Sequence, residues 1–195
     1  MRKYSLLLIA FLLINPIADD GKIDPDIEFL ITSSWLAESG VDIDIWIKGP
    51  GDTVVGFPFK DGRYIILERD DMGDNNDRYY LNGEYHLIER NIESISIIGI
   101  VPGEYHVSIH NYNARAEDPE EEYPTPVFVD LMDMRPYGIK MSKRIVAHFK
   151  EEVPVFSFMV DDKGNIYDIS DKMGVKIRPT KDIEPFVNGN GSSGL

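Results

Sequence analysis

The chain contains no cysteine. Disulfides, thiolate metal centres and cysteine nucleophiles are therefore all excluded, though the absence identifies no compartment. Basic residues are scarce too: 20 lysines and arginines against 34 acids leave a formal charge of −14 over 195 residues. Phosphate binding needs a concentrated basic surface, so nucleic acid is not an expected partner, whereas cations or basic partners are. Several catalytic signatures are missing as well. There is no G-x-S-x-G elbow, no G-x-x-x-x-G-K-[ST] loop and no G-x-G-x-x-G loop. His106 and His110 share a strand face, but four residues of strand span about 13 Å, too far for one zinc ion. A carboxylate pair for glycoside cleavage stays open, because any acidic all-β domain offers pairs at about 5–10 Å.

What is present begins with MRKYSLLLIAFLLINPIADD. Arg2 and Lys3 precede an apolar run from Leu6 to Ile14, and Asp19 and Asp20 follow it. Positive charge before such a run predicts that the amino end stays in the cytoplasm while the rest is exported. The run is nearer a signal-peptide core of about 7–15 residues than a full span of about 20. Pro16 at the −3 position of a cut after Ala18 speaks for a retained anchor instead. Residues 1–18 are thus expected to form a short hydrophobic helix serving as signal peptide or membrane anchor, with 19–27 as a linker. The placement is either inner-membrane anchored with a periplasmic domain, or periplasmic or secreted after cleavage. A buried helix of a cytosolic protein is the alternative.

From Glu28 the helical period nearly vanishes, and short alternating apolar runs closed by turn residues take over. The pattern predicts strands over 28–35, 42–48, 52–57, 63–69, 93–100, 104–112, 125–134, 143–149, 153–160 and 165–170. Short strands at regular intervals with no helix between them indicate an all-β, antiparallel β-sandwich of immunoglobulin-like or jelly-roll-like kind, over residues 28–172. RAEDPEEEYPTP (115–126) reads as a solvated loop, and residues 173–195 as a flexible tail.

One strand is unusual. In DIDIWIKGPGD, alternation turns Val41, Ile43, Ile45 and Ile47 one way, to the core, and Asp42, Asp44 and Trp46 the other. The two acids stand roughly 6.5–7 Å apart along the backbone, close enough to converge on a cation if a loop adds oxygens. A solvent face carrying acids is the competing reading. The loop ERDDMGDNNDRYY brings Asp70, Asp71, Asp74, Asn75, Asn76 and Asp77 together, and calcium takes six to eight hard oxygens at about 2.3–2.6 Å. It is not an EF-hand: position twelve from Asp70, Asp71 or Asp74 is Leu81, Asn82 or Tyr85, so the bidentate glutamate is missing. The competing reading is an Asx-rich turn. The candidate metal ligands are therefore Asp42, Asp44, Asp70, Asp71, Asp74, Asn75 and Asp77. In IVPGEYHVSIHNY, Pro102-Gly103 makes a turn and Tyr105, Val107 and Ile109 share the core face, with the tyrosine hydroxyl expected on backbone.

Three ordered motifs, DIDIWIKGPGD, LERDDMGDNND and IVPGEYHVSIHNY, resemble those of uncharacterised bacterial secreted sandwich domains of the YfaP type, across about residues 26–172. The aspartate-rich opening and the P-G-x-Y strand are more distantly similar to pre-peptidase C-terminal domains. The resemblance implies an extracytoplasmic β-sandwich whose acids bind calcium, and brings no catalytic residues. The expectation is a non-catalytic, calcium-stabilised module for binding or structural assembly, contacting the membrane through its amino-terminal segment and an envelope protein or glycan through its domain. A carbohydrate-active or other hydrolase, and a virion or other assembly subunit, are the alternatives.

Overall fold

The computed structural model describes residues 27–36, 41–73, 78–87, 90–114, 124–172 and 174–179. The expected amino-terminal helix and most of the 19–27 linker lie outside them, as do residues 115–123 of the expected loop and 173 and 180–195 of the expected tail. Among the described residues eleven strands follow in order: β1 (Phe29–Leu36), β2 (Val41–Lys48), β3 (Ile65–Arg69), β4 (Arg78–Leu81), β5 (Glu84–Leu87), β6 (Arg90–Ile97), β7 (Gly103–Ala114), β8 (Thr125–Met134), β9 (Tyr137–Ala147), β10 (Glu152–Val160) and β11 (Ile166–Ser170). No described residue is α-helical, and no described segment is a helix long and apolar enough to cross a membrane.

The fold is all-β with antiparallel pairing. One sheet has the order β3-β6-β1-β8-β9, a second β11-β10-β7-β2, and β4 and β5 form a separate hairpin. β-Branched residues at every second position explain the strands, since they suit the pleat and place one continuous apolar row on one face. The rows Ile43-Ile45-Ile47 of β2, Tyr105-Val107-Ile109 of β7, Ile95-Ile97 of β6 and Val127-Val129-Leu131 of β8 meet in a single hydrophobic cluster fed by both large sheets. Tyr105 behaves as its motif predicts: the ring is buried, stacked on Phe158 with centroids 5.0 Å apart, and the hydroxyl donates to the Val101 carbonyl at 2.9 Å.

Three local expectations need correction. Residues 52–57 are not a strand; only isolated bridges form, Val55 with Ile47 and Gly56 with Phe59. Gly56, at φ 156°, sits so close to the Trp46 ring that a Cβ there would approach it to 2.6 Å, so the segment folds over β2 as a cover. Second, the pattern reading missed the β4–β5 hairpin. Its turn residues Asn82 and Gly83 both have positive φ, 54° and 89°, as a two-residue hairpin turn of primed type requires. Third, the far face of β2 is not a solvent face. Asp44 and Trp46 are each 3% exposed, because this face is covered in turn. Residues 174–179, from the segment expected as a tail, are tied to β10, with the Ile177 and Arg178 N–H groups donating to Glu152 Oε1 at 2.6 and 2.9 Å, and the charge of Arg178 reaches Asp44.

Candidate cation site at the seam of the two sheets

Among the described residues β2 is the last strand of its sheet, so one of its edges has no strand partner there. Ile47 exchanges both backbone hydrogen bonds with Val55 at 2.9 Å, which shows that the N–H and C=O of odd-numbered β2 residues point to that edge. The Ile45 N–H accordingly approaches Glu93 of β6, in the other sheet, and favours its charged form. Asp70 comes to the same place from the end of β3. A register shift between Leu67 and Arg69 in the β3–β6 pairing changes the phase of β3 just before Asp70.

The result is a convergence of carboxylates. Asp44, Asp70 and Glu93 each offer an oxygen, and these atoms all lie within 4.8 Å of one another. Two of the three have nearby positive or hydrogen-bonding partners. Lys60 Nζ is 2.8 Å from Asp70 Oδ2, and His110 Nδ1 is 3.3 Å from Asp44 Oδ2. Glu93 has no positive partner: it is fully buried, and apart from the approach of the Ile45 N–H neither carboxylate oxygen meets a donor among the described residues. Burial, then the charges of Asp44 and Asp70, push its pKa well above the ordinary glutamate range, against the Ile45 N–H. Asp44 is raised in the same direction by burial, partly offset by His110.

The other sequence candidates fall in different places. Asp42 is near enough for its charge to raise Glu93 further, as the last of the named influences. Asp71 is turned to structural work. Its buried carboxylate accepts from Arg69 Nη2 at 2.8 Å, Ile92 N at 3.0 Å and Gly73 N at 3.1 Å, which closes the turn after β3. Asp74, Asn75 and Asp77 lie outside the described residues. Glu93 was not among the candidates, yet its phase betrays it. In E-S-I-S-I it is two and four residues from Ile95 and Ile97, so the alternation that buries those isoleucines buries it too. His110, expected only on the face away from the core, is buried against Asp44.

Chemically, the seam offers carboxylate oxygens in a space shielded from water, a donor set that suits hard cations such as calcium, magnesium or manganese. Comparison with protein-family models, curated proteins and solved structures finds no match to this chain.

Proposed function

We propose that the chain is a non-catalytic, extracytoplasmic β-sandwich module for binding or structural assembly, whose two sheets are clamped together by a calcium ion. The observation that carries this is the approach of Asp44, Asp70 and Glu93 oxygens to within 4.8 Å. Like charges held that close in a medium of reduced dielectric repel strongly unless a proton or cation lies among them. Asp44 belongs to β2, Glu93 to β6, and Asp70 follows β3, so a shared ion would tie the edge of one sheet to the other. Burial favours an ion over a sugar as the occupant: Asp44 is 3% exposed and Glu93 0%, whereas a glycosidase pair must reach a scissile bond. Calcium fits the all-oxygen set, and millimolar calcium outside cells would fill even a weak site. The charge asymmetry around Leu6–Ile14 supports export, with the amino-terminal segment meeting the membrane and an envelope protein or glycan as partner.

Thermal unfolding tests the cation. The midpoint should rise in millimolar calcium and much less in equal magnesium, which demands tighter octahedral geometry. Asp44→Asn and Asp70→Asn should each remove most of the rise; equal responses to both ions, kept in both variants, would mean only screening of a −14 surface. A periplasm-dependent phosphatase fused at Ser39 should be active, and an inactive fusion would reverse the placement.

A further inference from the structure

Beside the three carboxylates lies a second group of polar atoms with no partner. Ser33 Oγ, Asn91 Nδ2 and Asn91 Oδ1 are all buried without a hydrogen bond among the described residues, as are both oxygens of Glu93 apart from the approach of the Ile45 N–H. Ser33, Asn91 and Glu93 are each 0% exposed. They are neighbours. Ser33 of β1 pairs with Glu93 across the strands, which sets Cβ atoms about 4.5–5.5 Å apart on one face. Asn91 precedes Glu93 by two residues on β6 and therefore shares that face. Isolated unsatisfied groups occur in any fold, but buried polar atoms are nearly always paired, and so many at three adjacent positions imply an occupant.

We infer that Ser33 Oγ and Asn91 Oδ1 are neutral oxygen ligands that complete the cation site from inside, with Glu93 as its buried carboxylate. The inference rests on the cation reading above and adds what that reading lacks, a source of ligands beyond three acids. Calcium takes six to eight oxygens and accepts amide and hydroxyl donors beside carboxylates. A site completed by β1 and β6 is built on paired strands, with no need of Asp74, Asn75 or Asp77. His110, bonded to Asp44, then acts as a positioning residue that fixes the orientation of that carboxylate.

Calcium titration of the full chain, stripped with chelator, tests this by calorimetry and by terbium luminescence. Trp35, which pairs with Asn91 and donates to the Val41 carbonyl at 2.8 Å, serves as the sensitiser. Asn91→Leu, of similar size without an oxygen, should weaken calcium binding by about tenfold or more, and Ser33→Ala by a smaller factor. Asn91→Asp keeps the oxygen and should bind at least as tightly as the parent, which guards against a Leu variant that simply fails to fold. If Asn91→Leu and Ser33→Ala bind as the parent does while Glu93→Gln does not, the inner ligands are wrong and the carboxylate site stands. If the parent itself binds neither ion, both readings fall.

Discussion

His110 Nδ1 lies 3.3 Å from Asp44 Oδ2, with both side chains almost fully buried. Two residues from different strands, β7 and β2, thus depend on each other in a place where water cannot substitute. Removing either partner leaves the other unsatisfied, at about 1–3 kcal/mol. In chelator, His110→Phe should lose about that much stability to urea, and Asp44→Asn combined with His110→Phe should lose less than the sum of the single changes. A strictly additive pair would show that the contact carries no coupling.

The pH dependence of the cation-free protein should be unusual in direction. Glu93 and Asp44 both have folded pKa values above their ordinary ones of 4.5 and 3.8, so the folded state holds those protons more tightly than the unfolded chain. Their contribution is fully present below the ordinary values and is lost as pH rises through the raised ones. As pH rises above the ordinary glutamate range the parent should therefore lose more stability in chelator than Glu93→Gln does. Saturating calcium should flatten the parent's decline. Parallel curves for parent and Glu93→Gln would show that this carboxyl does not keep its proton.

Ile45 is 0% exposed and sits in the cluster fed by both large sheets. Ile45→Ala should cost about 2–5 kcal/mol in chemical unfolding, through lost transfer energy and the cavity left behind. A negligible cost would mean that the side chain does not enter a packed core.

Gly49 and Tyr105 are coupled by close approach. A Cβ at Gly49 would come within 2.5 Å of the Tyr105 ring and 2.9 Å of Ile65 Cδ1. Gly49→Ala should thus destabilise by about 1–3 kcal/mol through overpacking. Tyr105→Phe, which only removes the bond to Val101, should cost about 0.5–1.5 kcal/mol. If Gly49→Ala were the milder of the two, the strand end would have to yield more easily than this packing allows.

The sequence by itself determined most of the strands of the two large sheets and their inward faces, because side-chain alternation is a local property with period two. Val41 to Ile47, Tyr105 to Ile109 and Thr125 to Met134 were all legible in this way. The β4–β5 hairpin carries a local signal as well, an Asn82-Gly83 pair flanked by tyrosines and leucine. What only the tertiary structure decided is which distant residues meet. Asp44 and Asp70 are joined by Glu93 rather than by their own sequence neighbours, since sheet order puts β6 beside β3 and the outer edge of β2 comes to Glu93. Asp71, adjacent to Asp70, is taken by Arg69, Gly73 and Ile92 because the register shift in β3 turns consecutive aspartates to different surroundings. Local pattern fixes the face on which a carboxylate stands; its company depends on strand order and register, which no window of neighbouring residues contains.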